Sequence, residues 1–137
     1  MPLRCRVLIV ENDPAYRREL DQYFATRHAG YTVTTAADGA AAIRLANKLQ
    51  PDLVLLDLRL RHVDGFQVCR EIKSNPKTSD TVVIGMTGYY LPEVEKMWME
   101  CGAVRVFAKP LEPSQAAAAV DDALGIQKDD RGRGKQG

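Results

Sequence analysis

The chain is short of several things, and each shortage narrows what it can do. No apolar run approaches the ~20 residues that a membrane-spanning helix needs, and Met1-Pro2-Leu3-Arg4-Cys5-Arg6 leads into a short strand pattern with no secretion-signal core. A cytoplasmic protein without membrane contact is expected. There are only three cysteines, Cys5, Cys69 and Cys101, widely spaced and without a CxxC pair. That argues against a disulfide framework or a metal knuckle and predicts buried or half-buried free thiols. Neither charge is in excess: 19 Lys and Arg against 18 Asp and Glu give a net +1, which is no footprint for nucleic acid. No glycine-rich loop follows the first strand-like run, so a nucleotide-phosphate cradle is not indicated. At 137 residues there is room for one domain with a sizeable core and not for two ordinary ones.

What is present is a regular alternation. Leu53-Val54-Leu55-Leu56 runs straight into Asp57, bounded by Pro51 before and Asp64-Gly65 after. A short continuous apolar run of this kind predicts a strand covered on both faces. Similar runs lie at 6–10, 82–86 and 104–108, and the β-branched stretch 31–35 predicts a further strand. Between them come helical patterns. Asp13-Pro14 opens one with Tyr16, Leu20, Tyr23 and Phe24 on a face. Ala42, Ile43, Ala46 and Leu49 mark the second, Phe66, Cys69 and Ile72 the third. The fourth spans 92–100 and stops at Gly102; the fifth begins at Pro113-Ser114 and closes near Gly125. Five strands alternating with five helices predict an α/β fold, a doubly wound (βα)5 flavodoxin-like three-layer sandwich with parallel sheet order 2-1-3-4-5. The runs centred on 8, 54, 84 and 106 are expected to be buried and 31–35 to form an edge. Residues 1–125 form the expected domain; 126–137 are polar and aperiodic, a disordered tail or the start of a linker.

In such a sheet the C-terminal strand ends share one rim, where open α/β sheets keep their ligands. That rim collects Glu11, Asn12, Asp57, Thr87 and Lys109. Singly they are ordinary: Asp57 a cap, Glu11 or Asp13 a helix start, Thr87 a turn hydroxyl, Lys109 a solvated lysine. Together they suit phosphoryl transfer to a carboxylate. An Asp can be the covalent nucleophile, the transferred group is stabilised mainly by positioning and cations, and Mg²⁺ takes carboxylate and phosphate oxygens. Lys109 brings a second positive charge and Thr87 a hydrogen-bond donor.

With Val7 to Pro14, Pro51 to Leu58, Asp64-Gly65, Met86-Thr87-Gly88, Cys101-Gly102-Ala103 and Val106 to Pro110, the sequence resembles the receiver domain of bacterial two-component response regulators, chemotaxis-type regulators included, from residue 6 to about 124. The resemblance implies that Asp57 accepts a phosphoryl group from a sensor histidine kinase or phosphotransfer protein. It implies that Glu11, Asn12, Asp57 and the Arg59 backbone carbonyl hold Mg²⁺, that Thr87 and Lys109 contact the phosphoryl oxygens, and that Lys109–Pro110 is cis. Signalling would follow from altered partner binding or dimerisation through the helix 4–strand 5–helix 5 face, with no direct nucleic-acid contact and no catalytic turnover beyond the domain's own phosphorylation and dephosphorylation.

The sequence departs from that family in several places. Asn12 stands where an Asp is usual, which removes a negative charge and implies weak Mg²⁺ binding; a pseudo-receiver, a protein-interaction module with little or no phosphorylation, is the alternative. Val106 replaces the usual switch aromatic, with Phe107 on the opposite face. Arg59, Leu60, Arg61 and His62 make an unusually basic loop, read as solvated. Trp98 falls where a small residue is usual, to be buried by a local shift or left as a partner surface beside Met97 and Met99. An aspartyl-phosphate phosphatase would need a second Asp where Arg59 stands. The chain is expected to be either a stand-alone regulator or a fragment of a larger protein.

Overall fold

The computed structural model describes residues 5–27 and 30–125, so the expectation for 126–137 lies outside the described residues. Five strands form one parallel sheet in the order β2-β1-β3-β4-β5: β1 Cys5–Val10, β2 Tyr31–Ala36, β3 Leu53–Asp57, β4 Val82–Thr87 and β5 Arg105–Ala108. Each is followed by a helix: α1 Pro14–Arg27, α2 Gly39–Leu49, α3 Gly65–Ser74, α4 Pro92–Glu100 and α5 Pro113–Ala123. This is the doubly wound α/β architecture that the alternation predicts.

The period of two along each strand divides the core. On one face Val7, Ile9, Leu53, Leu55, Ile84 and Met86 pack against Leu20 and Phe24 of α1 and Ala116 and Val120 of α5. On the other, Leu8, Val10, Val54, Leu56 and Val83 meet Ala42 and Ala46 of α2, Phe66, Cys69 and Ile72 of α3, and Trp98 of α4. All five residues of β3 are buried, as a strand sheathed by helices on both sides requires. Local signals set the helix starts: the Asp38 carboxylate accepts from Ala41 N–H at 2.8 Å, and that of Asp64 accepts from Gln67 N–H at 2.9 Å. Glu112 and Gln115 form a reciprocal capping box at α5.

One expectation is corrected. The run centred on 106 is not a buried strand. The order 2-1-3-4-5 puts β5 at an edge, where Arg105 and Ala108 are exposed and Val106 and Phe107 are half-buried. Val106 and Phe107 do face opposite cores.

Trp98 is fully buried. Its ring lies edge-on to Phe66, with centroids 5.0 Å apart, and covers the backbone of Gly85 in β4. A Cβ added at Gly85 would sit 2.5 Å from Trp98 Cδ2, well inside van der Waals contact, so the large indole in α4 depends on the missing side chain in β4. Its Nε1 is the one buried side-chain polar atom without a hydrogen-bond partner among the described residues. Overpacking of a close-packed core costs about 1–3 kcal/mol, so Gly85→Ala should lower stability by that amount in urea titrations. Combined with Trp98→Leu, the Gly85→Ala penalty should shrink by more than half. Strictly additive losses would show that the two residues are not coupled.

Candidate functional site at the carboxyl rim of the sheet

Register explains how the rim residues meet. Val10 pairs with Leu56, so Glu11 and Asp57 come next on adjacent strands. Asp57 pairs with Met86 and Thr87 with Ala108, which places Thr87 and then Lys109 a step further along. The β1–β3 junction is also where the winding reverses, the usual position of a ligand crevice. A cleft there is lined by Glu11, Asn12, Asp57, Thr87 and Lys109 on its polar side and by Tyr89, Leu91 and Val94 on its apolar side.

The centre is an ion cluster. Glu11 has no solvent exposure, and both its oxygens accept from Lys109 Nζ, at 3.0 and 3.1 Å. Its Oε2 also accepts from Asp13 N–H at 2.8 Å. The same ammonium lies 3.5 Å from Asp57 Oδ2 and 5.4 Å above the Tyr16 ring. Burial raises the Glu11 carboxyl above its usual value, and Asp57 adds to the rise, while the Asp13 hydrogen bond and Lys109 oppose it. Burial also raises the Tyr16 phenol, followed by Glu11, so its hydroxyl stays protonated and donates to the Leu111 carbonyl at 2.5 Å. That bond ties α1 to the segment after Lys109–Pro110, whose peptide bond is cis as expected.

Thr87 is buried. Its hydroxyl donates to the Tyr89 carbonyl at 3.0 Å and accepts from Tyr89 N–H at 3.1 Å. Asn12 is exposed and lines the cleft. Asp13 is exposed too, but its carboxylate accepts from Ala15 N–H at 3.1 Å, a cap on α1. Arg59, Arg61 and His62 are exposed, with Arg59 on the cleft wall. All five side chains expected at the rim therefore line one cleft. Sequence reasoning missed its apolar wall, for which exposed Tyr89 and Leu91 just after Thr87-Gly88 were the available signal.

The oxygen-bearing side chains fit a small hard cation: two carboxylates and one amide, with no sulfur or imidazole among the residues lining the cleft. Among the described residues no hydrogen bond claims an Asp57 oxygen, and the cation that pairs with it is the Lys109 ammonium.

A family model, the response regulator receiver domain, matches residues 7–121. The chain is 35% identical over 115 residues to the DNA-binding dual master transcriptional regulator RpaA of a Synechocystis strain, covering 84% of this chain and 47% of that protein. It is 33% identical to the regulatory protein AtoC of Escherichia coli, over 89% of this chain and 26% of AtoC. The chain thus spans half or less of the length of these relatives. Among solved structures, the signal receiver domain of NarL from Mycobacterium tuberculosis superposes with a TM-score of 0.83 at 26% identity, covering 92% of this chain and 100% of that one. A receiver domain of a Pseudomonas aeruginosa sensor histidine kinase, with a magnesium ion coordinated in its active site cleft, gives 0.79 at 26% identity, covering 89% and 98%.

The ion cluster generates a pH prediction. Replacing Lys109 by Met leaves two buried carboxylates unopposed. The cost at neutral pH should be on the order of 2–3 kcal/mol, below that of a fully buried pair because the Lys109 side chain keeps 22% exposure. A carboxyl raised in the folded state stabilises the fold when protonated and loses that contribution as pH rises. The deficit of Lys109→Met should therefore shrink as pH falls from about 7.5 to about 5. Denaturant midpoints across that range check it; a constant deficit contradicts it.

Proposed function

The chain belongs to the response regulator receiver domain family, and from that premise we propose that it is a phosphorylation-driven signalling domain with Asp57 as the phosphoacceptor. The observation that carries the reading is the Lys109 ammonium shared between Glu11 and Asp57 at the sheet's switch point. It supplies fixed positive charge beside a carboxylate that no other described donor occupies.

Asp57 Oδ is the nucleophile toward phosphorus, and the donor is a phosphohistidine on a sensor histidine kinase or phosphotransfer protein. The Lys109 ammonium balances the charge of the incoming oxygens, a positioning role of the kind that dominates phosphoryl transfer. Thr87 donates its hydroxyl proton to a phosphoryl oxygen. To do so it gives up the Tyr89 carbonyl, which frees the 88–91 turn and its exposed Tyr89, Tyr90 and Leu91. That release is a route to output that does not need an aromatic ring at Val106. Glu11, Asn12, Asp57 and the Arg59 carbonyl would hold Mg²⁺, which neutralises phosphoryl charge when bound. Asn12 contributes an oxygen without charge, so the metal binds more weakly than with a carboxylate there.

Output passes to a downstream protein or a second copy through the α4–β5–α5 face, where Met97, Met99 and Val104 are exposed. No described helix is long and apolar enough to cross a membrane, and a cytoplasmic setting without direct nucleic-acid contact is the matching proposal. Residues 1–125 are the signalling unit, with 126–137 as tail or linker.

Incubation with Mg²⁺ and acetyl phosphate should add one phosphoryl mass that is acid-stable, base-labile and absent from Asp57→Ala. No adduct with any donor would leave a pseudo-receiver, a fixed interaction module. Asn12→Asp should tighten Mg²⁺ about tenfold, ~1.4 kcal/mol, in calorimetric titrations; an unchanged affinity refutes the role given to that position.

A further inference from the structure

Away from the acidic rim, two of the three free cysteines lie together. Cys69 is fully buried on the inner face of α3, and Cys101, 7% exposed, caps the end of α4. The Cys69 thiol donates to the Cys101 carbonyl at 3.2 Å. Arg70 Nη1 lies 3.2 Å from the Cys101 sulfur. Cys101 and Arg70 line a surface cleft that also includes Gln67, Glu71 and Lys73, whereas Cys69 does not reach it. The Lys73 ammonium is bonded to the Ser79 and Thr81 carbonyls, at 2.6 and 2.8 Å, so Arg70 is the cation in contact with the sulfur.

The two thiols are therefore in unlike surroundings. The Arg70 guanidinium sits against the Cys101 sulfur where that residue lines the cleft. Cys69 sits behind it, where burial, and then the neighbouring Cys101, push its thiol up to about 12. A cleft-lining cysteine next to a cation, with a second thiol bonded to the same residue's carbonyl, is the arrangement of a redox-responsive pair.

We propose that Cys101 and Cys69 form a peroxide-responsive dithiol, with Cys101 reacting first and Cys69 resolving it. The Cys101 sulfur attacks one oxygen of hydrogen peroxide, the O–O bond breaks, and Cys101 becomes a sulfenic acid while the departing hydroxide takes the thiol proton and leaves as water. The Cys69 sulfur then attacks the Cys101 sulfur; the S–O bond breaks, and the leaving hydroxide takes the Cys69 proton as a second water. Two thiols lose two electrons, and peroxide is reduced to two waters. The bond ties α3 to the turn between α4 and β5 and holds α4 in place. Thiol reductants reverse it by exchange.

Peroxide treatment of the whole chain, followed by denaturation and iodoacetamide, tests this. The expected product has lost two hydrogens, alkylates only at Cys5, and yields tryptic segment 62–70 joined to segment 97–105. Dithiothreitol should restore all three alkylation sites. Arg70→Gln should slow the oxidation about fivefold or more. Cys69→Ser should stop at a Cys101 sulfenic acid that dimedone traps. Three free thiols after exposure overturn the proposal, as does a Cys101 sulfinic acid beside free Cys69, or a linkage through Cys5. The peptide map of the unaltered chain decides without relying on how any variant folds.

Discussion

The site depends on a single ammonium in a crowded place. Glu11 is buried without solvent and Asp57 nearly so, and two such carboxylates on adjacent strands repel each other unless a cation stands between them. Lys109 is that cation, touching Glu11 at 3.0 Å and Asp57 at 3.5 Å. It reaches them from the end of an edge strand, past β4, so β5 must be docked in register for the charges to balance. The cis peptide at Lys109–Pro110, the Tyr16–Leu111 bond and the Tyr16 ring under the ammonium surround that one position. Folding of the sheet and assembly of the site are one event, because the last strand carries the charge that the first and third require.

The same balance would make the site responsive under the proposed phosphorylation. A dianionic group at Asp57 would add charge that Lys109 alone does not offset, so neighbouring donors would reorient toward it. Thr87, which lines the same cleft, would then give up its bond to the Tyr89 carbonyl. On that proposal, local electrostatics at Asp57 would be linked to a turn bearing exposed aromatic residues, with β4 between them.

Much of this was legible in the sequence because its signals are local. An aliphatic run ending in a carboxylate needs only the pattern of strand burial, and β3 is buried throughout. Asp13-Pro14 and Pro113 mark helix starts by the chemistry of the residues themselves. The failures concern partners distant in the chain. The composition around Val106 predicts a buried run although Arg105 interrupts it; strand order, which makes β5 an edge, outweighs that composition. The fate of Trp98 turns on Gly85, whose absent side chain leaves the cavity that the indole fills, and no helical periodicity reports that. The rim residues were gathered correctly, but the choice of Glu11 over Asp57 as the closer partner of Lys109 is a matter of ångströms that spacing does not encode. The Cys69–Cys101 neighbourhood was equally hidden, since α3 and the end of α4 meet only in the folded chain.

The central claim is that an anion at Asp57 is read by Lys109 and by the exchange of the Thr87 hydroxyl away from Tyr89. The most direct measurement is the amide nuclear magnetic resonance spectrum of the isotope-labelled chain with Mg²⁺, before and after addition of beryllofluoride as a phosphoryl mimic. The account predicts the largest shifts at Asp57, Leu58, Lys109 and the Thr87-to-Leu91 turn, with Tyr89 N–H moving as its bond to Thr87 Oγ1 changes. A saturating response that leaves Tyr89 and Lys109 unmoved, or no response at any of these amides, would contradict it.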